Sequence, residues 1–140
     1  MAAHPQCPCT RASMEGLAHV VAGANKRLAV YVLMTKPSGT AEGWERSDTW
    51  DAAERISGVR VLTDRDGAEA HLFGARTSGQ TLLYDPGGKL VFRGGLTSSR
   101  GHAGPSLGQN SILALVHGGT VDTPLTEVFG CALTSAVHKN

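Results

Sequence analysis

Cys7 and Cys9, separated only by Pro8, are the residues of this 140-residue chain best suited to chemistry, and Cys131 near its other end is the third thiol. A cysteine reacts as its thiolate. Unpaired N–H groups at a helix N-terminus stabilise that charge and bring the pKa from about 8.5 to about 7 or lower. Thiol–disulfide exchange follows naturally, with Cys7 as the attacking sulfur, Cys9 as the resolving one, and His4 upstream as a source of positive charge or a proton relay. A Cys7–Cys9 disulfide closes a very small ring whose strain makes it more oxidising. Pro8 stiffens that link and works against closure, in which case Cys131 is the partner. The spacing leaves both pairings open. It also leaves open a metal-binding or copper-delivery module, in which His4, Cys7, Cys9 and Cys131, with His102 as a further ligand, offer soft donors for Cu(I) or Zn(II). No second close cysteine pair completes a zinc signature. A domain kept for interaction alone is a third reading. The redox and metal readings both require the two sulfurs to lie at a helix start and within reach of a reagent.

The elements that must hold these residues can be read from period and punctuation. Met14, Leu17, Ala18 and Val21 recur at helical spacing, predicting a helix from about Thr10 to Ala24 with Pro8 at its first position, Cys7 as N-cap and Cys9 in the first turn. Leu28–Met34 is a continuous apolar run, as in a strand covered on both faces. A helix capped by Asp48 and running to Arg55, a strand over Val59–Thr63, and a short helix capped by Asp66 and ending at Phe73 follow. Gln80–Tyr84 and Lys89–Arg93 flank Asp85-Pro-Gly-Gly88 as a β-hairpin. Beyond a glycine-rich loop, Asn110 caps a last helix to His117, and a tail runs from about residue 120 to a frayed end. The alternation predicts one α/β domain over residues 1–140.

That element order is similar to the thioredoxin pattern with its first strand truncated, a three-layer sandwich around a central mixed sheet. The segment Thr81-Leu-Leu-Tyr-Asp-Pro-Gly-Gly-Lys-Leu-Val resembles the family's penultimate hairpin. His4-Pro-Gln-Cys-Pro-Cys-Thr-Arg-Ala-Ser13, Arg93-Gly-Gly-Leu-Thr, Arg100-Gly-His102 and Phe129-Gly-Cys131 more narrowly resemble the bacterial RedB-like thioredoxin-fold proteins. The resemblance implies an oxidoreductase acting on protein or small-molecule thiols and disulfides without a cofactor, with Cys7, Cys9 and Cys131 as its reacting residues. It implies a substrate-binding surface made of His4, Pro8, Ser78 and Gly79. Two departures stand out. Thioredoxins separate their cysteines by two residues, and Gly79 stands where they carry a cis-proline.

Bulk properties narrow the field. A net charge of +1, with Lys and Arg scattered singly, provides no basic stripe for nucleic acid. No apolar run is long enough to cross a bilayer. Met1-Ala-Ala-His-Pro has neither signal- nor transit-peptide character, so the chain reads as soluble as given. A start six residues ahead of Cys7 fits equally a trimmed form of a protein exported to, or anchored in, a bacterial cell envelope. A truncated first strand would leave a sheet edge open to a second copy, favouring a homo-oligomer. His19, His71, His117 and His138 read as structural or solvated, and Trp44 and Trp50 as packing residues. There is no Ser-His-Asp triad and no phosphate-cradling loop.

Overall fold

A computed structural model describes residues 1–122 and 124–134. The elements in chain order are β1 (Ala2–Ala3), α1 (Thr10–Gly23), β2 (Val30–Lys36), α2 (Asp48–Glu54), β3 (Val59–Arg65), α3 (Ala68–Leu72), β4 (Thr81–Tyr84), β5 (Leu90–Gly94) and α4 (Leu107–Val116). β1, β2 and β3 form a parallel sheet in that order, and β4 and β5 form an antiparallel pair. The architecture is therefore mixed α/β.

The first strand is short, yet it lies inside the sheet. Ala2 and Ala3 stand opposite Leu33 and Met34. On the other side the Ala2 N–H donates to the Gln80 carbonyl at 2.9 Å, and the Gly79 N–H donates to the Ala2 carbonyl at 2.8 Å. One residue thus ties the parallel sheet to the start of the hairpin. The open edge expected of a truncated strand does not exist there, and with it goes that reason for association.

Strand alternation sorts side chains to two faces. Ala3, Val32, Met34 and Phe92 face Met14, Leu17 and Val20 of α1, Trp50 and Ala53 of α2, and Ile112 of α4 in the main core. Ala2 points the other way, with Ala70, Ala75 and Leu133, beneath α3 and the tail. Helices therefore cover both faces, three on one and a single short one on the other.

Several helix starts differ from expectation because a better-placed oxygen takes the cap. Ser47, rather than Asp48, caps α2, its hydroxyl accepting from the Trp50 N–H at 3.4 Å. Ser106 caps α4 by accepting from Gln109 at 3.3 Å, one turn ahead of Asn110. The strand before α3 continues to Arg65, and buried Asp64 accepts from the Glu69 and Ala70 N–H groups, each at 2.9 Å. Asp66 instead binds the backbone and hydroxyl of Ser38. Because the Gly67 N-cap has no side chain to offer, Asp64 carries the start of α3 alone. Asp64→Ala is expected to lower stability by about 1–2 kcal/mol, the usual scale for a lost cap. Asp64→Asn, which keeps an acceptor, is expected to lose less; equal losses in denaturant titration would remove this assignment.

Candidate functional site

The chain from β1 into α1 makes a tight turn before the helix starts. The Thr10 N–H donates to the Cys7 carbonyl at 3.1 Å, closing a four-residue turn with exposed Pro8 in its second position. Proline's fixed φ suits that position. The first helical carbonyl is therefore that of Cys9, which accepts from Ser13 at 3.4 Å. Cys9, not Cys7, is the N-cap, and its side chain makes no capping bond. The sulfurs stand at the helix start as expected, but Cys7 lies two positions before the N-cap, outside the helix.

A second segment meets them there. The tail from Gly130 to Leu133 runs antiparallel to the loop before β4, with Ala132 opposite Thr77. The Ser78 N–H donates to the Cys131 carbonyl at 2.8 Å, and the Leu133 N–H to the Arg76 carbonyl at 3.0 Å. This pairing sets the Cys131 N–H 3.2 Å from Cys7 Sγ, which accepts it. Ser78 organises the same corner: its hydroxyl accepts from the His4 N–H at 2.7 Å and shares a 2.7 Å hydrogen bond with the Thr10 hydroxyl. Gly79, at φ +95°, passes so close to α1 that a β-carbon would lie 2.8 Å from Ser13 Oγ.

Burial on its own would push the Cys7 thiol up. Donation from the Cys131 and Thr10 side chains and from the Cys131 and Cys9 backbones outweighs that, bringing it down from 9.0 to about 7. Cys131 moves the opposite way: its bond to Cys7 holds its proton in place, burial and the charges on Cys7 and Cys9 add to this, and Arg100 partly offsets them. One negative charge on Cys7 and one proton on Cys131 is the state this geometry favours. The stabilisation expected from the helix N-terminus comes mainly from the tail.

Comparison with known proteins identifies fold alone. No protein-family model and no curated protein matches the chain. Among solved structures it is similar to a hypothetical protein from Sinorhizobium meliloti 1021, with a TM-score of 0.73 at 22% identity over 96% of this chain and 78% of that one. It is also similar to an uncharacterized conserved protein from Geobacillus kaustophilus, with a TM-score of 0.72 at 19% identity over 96% of this chain and 75% of that one.

Three expectations change with this geometry. Cys7 and Cys9 are not open to solvent: they are 2% and 7% exposed, covered by the tail and the loop carrying Arg100. His4 does not supply positive charge. Burial lowers its pKa, its Nδ1 accepts from the Gln6 N–H at 3.1 Å, and its ring packs edge-on against Trp44. The metal set does not assemble. Among the described residues no three His, Cys, Asp or Glu side chains are placed to hold an ion, and His102 lies exposed in its loop. His138 and the last residues of the tail lie outside the described residues. Arg100, by contrast, does more than its sequence context announced. Its guanidinium points one nitrogen at Cys9 Sγ, 3.9 Å away, and donates another to the Gly130 carbonyl at 3.3 Å. Thr10 was equally silent as a thiolate donor. The available clue was its position three residues after Cys7, which is the span of one turn. Among the described residues no helix is long and apolar enough to cross a membrane.

Proposed function

We propose that the chain is a thioredoxin-like thiol–disulfide oxidoreductase in which Cys7 is the nucleophile and Cys131, rather than Cys9, resolves. The observation that carries this reading is the Cys131 N–H donated to Cys7 Sγ, because it places a second thiol against a sulfur already biased toward its thiolate. The convergence of Cys7, Cys9, Arg100 and Cys131, drawn from three of the segments that resemble RedB-like proteins, supports it further. So does the order of the sheet, where the two-residue first strand lies between β2 and the hairpin.

The chemistry balances without a cofactor. Cys7 thiolate attacks one sulfur of a disulfide; the new bond forms as the old one breaks, and the departing thiolate takes up a proton. Cys131 then loses its proton and attacks Cys7 Sγ, releasing the second thiol and leaving a Cys7–Cys131 disulfide. Two electrons pass from the protein dithiol to the substrate, and the reverse sequence oxidises a dithiol. Ser78 and Gly79 shape the wall beside the reacting sulfurs, and Pro8 offers an exposed edge on the turn. His4 contributes its backbone to the turn, its carbonyl accepting from the Cys7 N–H at 3.2 Å.

Equilibration in dithiol–disulfide buffer, acid trapping and mass mapping tests this directly. A Cys7–Cys131 disulfide is expected, retained in Cys9→Ser and lost in Cys131→Ser. A reversible bond confined to Cys7–Cys9, or none, would overturn the assignment. Since only the thiolate alkylates, the rate at Cys7 is expected to rise with pH around a midpoint of about 7 and to level off above it. A midpoint near that of an ordinary thiol would mean the tail's donors do not act on Cys7.

A further inference from the structure

Resting on Cys7 as the nucleophile, we propose that the Gly130–Leu133 strand is a specificity-determining strap that restricts the site to small-molecule disulfides and shuts out protein disulfides. The strap fills the place an extended partner chain would need. It pairs antiparallel with Arg76–Ser78, through the Ser78 N–H and the Arg76 carbonyl, and thereby uses the backbone groups a peptide would otherwise take. It also sets its own cysteine where a partner's sulfur would meet Cys7.

Four features hold it down. Leu133, 2% exposed, is sunk between Ala2, Ala70 and Ala75. Arg100 clasps the Gly130 carbonyl. Cys7 Sγ receives the Cys131 N–H. The fourth is steric: Gly130 passes so close to the loop that a β-carbon would collide with the Ser78 carbonyl oxygen, so the strap seats only with glycine there. The exchange cycle does not require this segment to leave. The resolving thiol is part of the strap and Cys7 is only 2% exposed beneath it, so the strap must yield far enough to admit a slender disulfide but need not unpair. The half-buried Cys131 is the more exposed of this reacting pair and marks the side from which a small disulfide enters. A folded protein's disulfide, or a long peptide, would have to displace the whole strand.

The test uses the full chain, its Gly130→Val variant, which cannot seat the strap, and Leu133→Ser, which keeps glycine but loses the anchor. Cys7 is labelled by N-ethylmaleimide and, separately, by a maleimide carried on a polyethylene glycol chain, with sites mapped by mass. Rates of reduction of hydroxyethyl disulfide and of a disulfide-linked peptide dimer are measured in parallel, and thermal melting confirms that each variant folds. In the native chain the bulky label and the peptide dimer are expected to react far more slowly than the small reagents. In either variant that gap is expected to narrow by roughly tenfold or more, as the loss of one or two hydrogen bonds would give. An equal gap in native and variant chains, all folded, overturns the strap. A labelling gap that closes while neither disulfide is reduced by any of the three would uphold the strap as a cover and overturn the exchange reading instead.

Discussion

Cys7→Ser is expected to abolish disulfide exchange, lowering the rate by roughly three orders of magnitude or more, as removal of a covalent nucleophile does elsewhere. The hydroxyl is a poor nucleophile at neutral pH, and no other sulfur occupies the position: with Cys7 gone, burial still raises Cys131, and Cys9 stands against Arg100. The three single replacements are expected to separate by step. Cys7→Ser blocks the first attack. Cys131→Ser permits it but strands the protein as a mixed disulfide, detected as a stable mass adduct on Cys7. Cys9→Ser leaves both steps running and alters mainly the surroundings of Arg100. A stopped-time assay in which pre-reduced protein, freed of reductant, meets an excess of hydroxyethyl disulfide and is acid-trapped and read by mass distinguishes them. If Cys9→Ser were as damaging as Cys7→Ser, the resolving role would pass back to Cys9.

Phe92→Ala is expected to have the largest effect on stability, a loss of about 3–5 kcal/mol. The ring is 1% exposed, paired with Leu83 across the hairpin and surrounded by the main core that α1, α2 and α4 share. Removing it takes away buried apolar surface and leaves a cavity that neighbours on regular elements cannot collapse to fill. A domain of this size has only about 5–15 kcal/mol in total, so the variant would sit near the edge of folding at ordinary temperature. Phe92→Leu, which keeps most of the volume, is expected to lose much less. The measurement is the shift in denaturant midpoint at unchanged slope. A loss below about 1 kcal/mol would show that the ring is not closely packed.

The α/β class and the order of elements were legible because strong local signals agree. The helical face of α1, the apolar run of β2 and the Asp85-Pro-Gly-Gly88 turn each carry their own period or punctuation. Caps were less legible, since serines and aspartates competed within a few residues and only tertiary geometry chooses among them. Cys7, Cys9 and Cys131 were legible as chemistry-bearing types, and Ser78 and Gly79 only by resemblance. The burial of Cys7 was invisible, because it depends on Gly130–Leu133 pairing with a loop some fifty residues earlier in the chain. Long-range pairing of this kind leaves no periodic trace in either partner. Arg100 was hidden for the same reason, as its contacts lie at both ends of the sequence.

The position of Ala2 has a consequence for the order of events as the polypeptide is made. A strand made before both of its neighbours gains one only when Leu33 and Met34 have followed, and the other only after Gly79 and Gln80. The sheet is therefore assembled outward from a segment that must wait, which places slow, non-local closure at the centre of folding. Throughout that interval Cys7 and Cys9 travel uncovered, and Cys131 comes last. A nascent chain is thus exposed to whatever thiols and disulfides surround it, and its sulfurs become sheltered only when Gly130–Leu133 pairs with Arg76–Ser78.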